Sequence, residues 1–128
     1  MEEAPILNSA ENIYQFMHTT IQDLDIEEGW VLMMKQNFRL IEAKRISVGG
    51  LTMAPVDLRL MMKEVLLKNT TVLAFCHNHP SGSTNPSRDD DILTSHIHKA
   101  CELLHIHFAD HVILTDGGYF SYREEGKL

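Results

Sequence analysis

The chain is predicted to fold as a single α/β domain, a mixed β-sheet flanked by helices. Three observations point there. Stretches with helical spacing of apolar residues alternate with short β-rich runs. Some runs return through turn residues, Asn37 and Asp116-Gly117-Gly118, so hairpins argue against a pure doubly wound fold. Residues 71–76 form a continuous apolar run, which suits a central strand covered on both faces. At 128 residues, 44% hydrophobic and 23% charged, with no repeats, one such domain buries a core without disulfides or a structural metal.

The elements follow in order. Residues 1–8 read as a loose lead-in and residues 9–128 as the domain. A helix opens at Asn8 or Ser9, with Asn8 and Glu11 at capping-box spacing. Ala10, Ile13, Tyr14, Met17, Ile21 and Leu24 recur at helical intervals and form its buried face. Asp23, Asp25, Glu27 and Glu28 end it and lead into an apolar strand, residues 30–34. After Asn37 a return strand covers 38–48, broken by Gly49-Gly50. Pro55 and Asp57 introduce a second helix to about Lys68, rich enough in Leu and Met to be packed on both sides. Beyond the central strand come a loop over 80–86 and a third helix from Ser87 to about Leu104. A strand over 106–115, the Asp-Gly-Gly turn and a last strand over 119–122 precede a charged tail.

The formal net charge is −7, and the 11 Lys and Arg residues are scattered rather than clustered, which argues against autonomous nucleic-acid binding. Cys76 and Cys101 are too few for a disulfide framework and fit a reducing compartment. The acidic start lacks an apolar signal region, and no apolar run approaches the roughly 20 residues of a membrane helix. A cytoplasmic protein with no membrane partner is expected.

The chemistry concentrates in one place. Seven of the eight histidines fall between residues 77 and 111, and the first two open the run His77-Asn78-His79-Pro80. Side chains alternate along a strand, so His77 and His79 project the same way with Cβ atoms roughly 7 Å apart, close enough to share one ion. Asn78 and Cys76 point to the other side, which makes Cys76 a poor ligand. Of the three aspartates 89–91, Asp90 lies in line with Leu93, Ile97, Cys101 and Leu104, the stripe its helix must bury, while Asp89 sits at the edge. A carboxylate on a buried face is most simply compensated by a cation. Ser87 stands at N-cap spacing before it and aims it. Two imidazoles and a carboxylate suit zinc (Zn2+), and three ligands leave a position open for water, as in catalytic sites. The letters His-Asn-His also spell a nuclease motif, but there the residues are spread across a ββα unit, whereas here they are contiguous.

Residues 77–90 match the JAMM pattern, His-x-His-Pro followed by Ser and, three residues on, Asp. In its HNHPSG form followed by PS, the run resembles the RadC branch of the JAB/MPN superfamily. The resemblance extends over about residues 27–126 and includes Asp57-Leu58-Arg59, Asp110-His111 and the Asp-Gly-Gly-Tyr turn. It implies a JAB/MPN-like (cytidine-deaminase-like) fold with zinc on His77, His79, Asp90 and a water. It also implies a glutamate at the start of an early strand as general acid/base. Glu28 matches that position, although Gly29 stands where the family more often has an aromatic, so Glu27 is the alternative and Glu42 a distant third. Ser87 would help stabilise the oxyanion, a role it combines with capping only if its geometry permits.

Asp110-His111 is read either as a pair that fixes an imidazole tautomer or as a structural pair within a strand. His96, His98, His105 and His107 fall at spacings without ligand logic, and the methionines are core filler. Three functions compete. The first is a zinc-dependent hydrolase of amide or isopeptide bonds acting on an unknown peptide or protein. The second is a metal-binding, non-hydrolytic interaction module, and the third a metal-dependent nuclease or DNA-repair accessory. The acidic balance argues against taking the third from the family's name.

Overall fold

The computed structural model describes residues 3–21, 24–49 and 56–128. Met1, Glu2, Asp23, Gly50 and Pro55, several of which were given turn or boundary roles above, lie outside the described residues.

Helix α1 (Ala10–Ile21) is followed by the antiparallel pair β1 (Glu28–Met34) and β2 (Leu40–Val48), then helix α2 (Leu58–Leu67) and strand β3 (Val72–Asn78). Helix α3 (Arg88–Leu103), β4 (His107–Thr115) and β5 (Gly118–Ser121) complete the fold. The sheet runs β2-β1-β3-β4-β5, with β3 and β4 parallel and the other neighbours antiparallel. This is the mixed sheet flanked by helices that the patterning predicts.

Period-2 alternation sorts the side chains between two cores. Leu32, Met34, Ala74, Cys76, Val112 and Leu114 meet Ala10, Ile13, Met17 and Ile21 of α1 on one face. On the other, Val31, Met33, Leu73, Phe75 and Phe108 meet Met61, Met62 and Val65 of α2 and Ile97 and Cys101 of α3. Central β3 is buried along its whole length, the reason its sequence does not alternate in polarity.

Four local expectations change. Ser9 caps α1, its hydroxyl accepting the Asn12 N–H at 3.1 Å, which decides between Asn8 and Ser9. Residues 5–7 are docked rather than loose: Ile6 bridges to Arg39, and Leu7 is buried with its N–H donating to Phe38 O at 2.9 Å. α2 is packed on one side only, because the sheet covers one of its faces while Leu60, Leu66 and Leu67 remain exposed. Leu104 is exposed as well, since it is the C-cap rather than a member of the helical stripe. Among the described residues no helix is long and apolar enough to cross a membrane.

Asp110 has a structural task. β4 bulges between Leu73 and Ala74 of its partner, with Ala109 the unpaired residue. The Asp110 carboxylate then satisfies the loosened backbone, accepting His111 N–H at 2.8 Å, Arg123 N–H at 3.0 Å and the Ser121 hydroxyl at 2.5 Å. Burial raises its pKa, and those donors oppose the rise.

Candidate metal centre

The sheet presents two histidines and α3 presents an acid. Leu73 and Phe75 of β3 face α2 and α3, and His77 continues that row at the strand's end. His79, two residues on, turns the same way, with its Nε2 3.0 Å from His77 Nε2. Cys76 belongs to the α1 core, and Asn78 holds the chain ahead of β1, accepting Glu28 N–H at 2.7 Å and donating to Ile26 O at 3.0 Å.

Ser87 and Asp90 form a reciprocal capping box at the start of α3. The Ser87 hydroxyl accepts Asp90 N–H at 3.0 Å, and Asp90 Oδ2 accepts Ser87 N–H at 2.9 Å. The box aims the buried carboxylate at the sheet, where Oδ1 lies 3.2 Å from His77 Nε2 and Oδ2 lies 3.2 Å from His79 Nε2. Glu27 adds a second carboxylate, its Oε1 3.9 Å from His77 Nε2. One ligand atom from each of Glu27, His77, His79 and Asp90 can be chosen so that all lie within 4.8 Å of one another.

Proton positions follow from what the far ring nitrogens touch. Thr94 Oγ1 faces the Asp90 carbonyl oxygen at 2.8 Å, so the hydroxyl donates there. It must then accept from His111 Nδ1–H, 2.5 Å away. His111 Nε2 is left as an acceptor and takes the proton on His77 Nδ1 at 2.8 Å. His79 Nδ1 donates to Ser83 O at 2.7 Å. With the rings neutral, both Nε2 atoms therefore turn lone pairs toward the carboxylates of Asp90 and Glu27, and a proton added there would instead hydrogen-bond them. Lone pairs and anions gathered in a largely buried spot call for a cation or for added protons. The residues fit a divalent metal with imidazole and carboxylate ligands.

The electrostatics agree. Burial works to raise the Asp90 pKa, but hydrogen bonding to His77 and His79 overrides it and holds the carboxyl well below its ordinary range. Burial works against a charge on His79, yet Asp90 and the Ser83 carbonyl raise its pKa. His111 is held neutral by burial and by the neighbouring His77, which keep its pKa well below the usual imidazole value. Tyr122 stacks on it at 4.7 Å and Phe75 meets it edge-on at 5.0 Å, so its ring orientation is locked. Cys101 lies in the core with its thiol pushed up to about 12 by burial, and burial also raises that of Cys76.

The family model of the RadC-like JAB domain matches residues 7–127. The chain belongs to this family. It is 38% identical over 120 residues to a UPF0758 protein of Flavobacterium johnsoniae, covering 94% of this chain and 52% of that protein. It is 37% identical over 116 residues to one from Porphyromonas gingivalis, covering 90% and 51%. A third, from Haemophilus influenzae, is 36% identical over 124 residues, with 97% and 56% covered. The RadC-like domain thus spans about half the length of the curated relatives it matches.

Within this RadC-like domain the structure brings His77, His79 and Asp90 together and keeps Glu28 apart from them. Gly29 pairs with His77 across the sheet and shares its face, so Glu28 belongs to the opposite face with Asn78 and Trp30. The Glu28 carboxylate accepts from Trp30 Nε1 at 3.0 Å and pairs with Arg45 at 3.3 Å. The glutamate beside the histidines is Glu27. Glu42 pairs instead with Lys68 at 3.3 Å. Ser87 accepts through its oxygen in the capping box, which leaves its own O–H available as a donor. His96, His98, His105 and His107 are exposed, although His96, with Asp89, lines the cleft of about 190 Å³ that opens beside the cluster.

Both readings of Asp110-His111 hold, one for each residue: Asp110 secures the bulge and His111 orients His77. Sequence reasoning missed Thr94, whose position one turn after Asp90 was the available signal. Thr94→Val keeps the shape but leaves the buried His111 Nδ1–H without an acceptor. It is expected to weaken metal binding about 10–100-fold, measured by competition with a chromophoric chelator. Unchanged affinity would mean that the relay does not hold His77.

Proposed function

We propose that this domain is a JAMM-type metallopeptidase, a zinc-dependent hydrolase of amide or isopeptide bonds. The convergence of two imidazole lone pairs and two carboxylates supports this reading most directly. His77, His79 and Asp90 would hold the ion, which suits zinc by its nitrogen and oxygen ligands. Held there, zinc would supply Lewis acidity for water activation and carbonyl polarisation.

The chain's own groups account for the rest. Glu27 Oε1 takes a proton from the attacking water and passes it to the departing nitrogen, the task for which a carboxylate outside the tightest ligand group is needed. The Ser87 hydroxyl, held by the capping box, donates to the developing oxyanion. His111 and Thr94 keep the proton of His77 on Nδ1, so Nε2 stays a ligand atom.

The test is elemental analysis of protein purified without chelators, followed by screening of peptide and isopeptide libraries. About one zinc per chain and turnover abolished by a chelator are expected, the turnover returning with zinc. A folded protein that takes up no metal would overturn the proposal. Stoichiometric metal with no turnover and a co-purifying partner would favour the non-hydrolytic module, a reading left room by the additional length of the relatives. Binding to DNA that weakens with salt would instead favour a repair accessory.

A further inference from the structure

The chain beyond β5 folds back onto the rear of the metal centre. Tyr122 N–H donates to His111 O at 3.0 Å, which keeps the segment beside β4 for one residue past the strand. A tight turn follows. Gly126 adopts a φ of +68°, a conformation open to glycine, and its N–H donates to Arg123 O at 3.1 Å. Lys127 N–H then closes the turn on Tyr122 O at 2.8 Å.

The turn lays its side chains against α3 and the sheet. Lys127 Nζ lies 5.6 Å from the centre of the Tyr122 ring and 5.9 Å from that of Phe120. It also pairs with Asp91 Oδ1 at 3.5 Å, and the Tyr122 hydroxyl donates to the same oxygen at 2.7 Å. The Tyr122 ring lies almost flat on His111, at an interplanar angle of 12°. His111 in turn accepts the proton of His77 Nδ1. A path of direct contacts thus runs from the tail to a metal-facing histidine.

The Lys127–Asp91 pair is nearly half exposed on both sides, and such a pair contributes little by itself. What it holds matters more. Tyr122 is 1% exposed, and a buried hydroxyl that loses its acceptor is costly. The array also stands between solvent and the relay. On the opposite side of α3 from the cleft, a hollow of about 410 Å³ is lined in part by Asp91, Thr94, Tyr122 and Lys127. With Tyr122 displaced, water from that hollow would reach Thr94 Oγ1 and His111 Nδ1, whose bond to each other fixes the tautomer.

We propose that the C-terminal turn is a latch on the metal centre. Lys127 and Asp91 hold Tyr122, and Tyr122 is a positioning residue that fixes the His111 ring and through it the aim of His77 Nε2. The latch rests on the metal reading of the cluster and is independent of the hydrolase reading. Because coupling is reciprocal, a bound ion tightens the turn in its own right.

The test measures zinc affinity of the whole chain, by competition with a chromophoric chelator, beside the ring N–H signals of isotope-labelled histidine. Tyr122→Leu removes both stack and hydroxyl and is expected to weaken zinc binding about 10–100-fold. Tyr122→Phe keeps the stack but loses Asp91, and Lys127→Ala loses the cation. Each should weaken binding about two- to tenfold, with Lys127→Arg restoring it. In the metal-free chain at pH 8, both should speed exchange of the His111 Nδ1 proton with water by about tenfold. Zinc should slow exchange of the Lys127 amide in the wild type and leave it unchanged in Tyr122→Leu. Unchanged affinity in Tyr122→Phe and Lys127→Ala overturns the latch, whether or not Tyr122→Leu folds. Weaker binding with unaltered ring exchange overturns it too, since the effect then does not pass through His111. If the chain takes up no zinc, the metal reading fails and ring exchange alone decides whether the turn holds His111. Zinc bound without turnover refutes only the hydrolase reading.

Discussion

Glu27→Gln is expected to retain its metal and to lose turnover by about 10²–10⁴-fold, whereas Glu28→Gln should stay close to wild type. The two residues are adjacent in sequence, yet they face opposite sides of the sheet. Glu27 Oε1 lies 3.9 Å from His77 Nε2, where its carboxylate can exchange a proton with a reacting group. An amide of the same shape keeps the packing and cannot accept that proton. Glu28 is tied to Trp30 and Arg45, and glutamine there retains an oxygen for the indole N–H. Since Arg45 is half exposed, losing the ion pair should cost about 0.2–1 kcal/mol of stability. Metal content, steady-state rates on a confirmed substrate and thermal melts of both variants check this. A Glu28→Gln protein that binds metal but has lost turnover, beside an active Glu27→Gln protein, would reverse the assignment.

Asp90→Ala is expected to abolish stoichiometric metal binding, and turnover with it. The carboxylate meets both histidines and closes the capping box of α3, so its removal strips the site of an anion and frees the Ser87 N–H. Loss of that half of the capping box, one hydrogen bond, adds about 0.5–1.5 kcal/mol of destabilisation, readable in the metal-free state. Elemental analysis and chemical denaturation separate the two effects. Retention of a full equivalent of metal would remove Asp90 from the ligand set.

The metal-free protein should also depend on pH in a defined way. Asp90, with a lowered folded pKa, contributes stability present above the ordinary carboxylate range and lost as pH falls through its folded value. His79, with a raised folded pKa, contributes stability that is full below the ordinary imidazole range and lost as pH rises through its folded value. Their attraction is therefore strongest between those limits. Above them the His79 Nε2 lone pair faces the Asp90 carboxylate with no proton between. Chelation should consequently lower the melting temperature more at pH 8 than at pH 6, as paired melts with and without chelator would show. An equal drop at both values would mean that the cluster is not held together by protons when metal is absent.

Much of this centre was legible because it obeys local periodicities. Alternation along a strand puts His77 and His79 on one side, and the helical repeat turns Asp90 inward beneath a serine cap. These rules need only the order of residues within one element, and the structure places all three side chains where the rules send them. The same logic failed for α2, where an apolar sequence does not say whether a second layer will cover its outer face, and here Leu60, Leu66 and Leu67 stay exposed.

Residue order alone determined the alternation of helices and strands, the two-histidine tip of β3 and the inward acid of α3. Pairing between strands decided the rest. Matching Gly29 with His77 puts Glu27 rather than Glu28 on the histidines' face, since a shift of one residue exchanges the faces of a strand. The alignment of β4 on β3 carries His111 to the back of His77. Such neighbours are distant along the chain, and only the register of the assembled sheet brings them into contact.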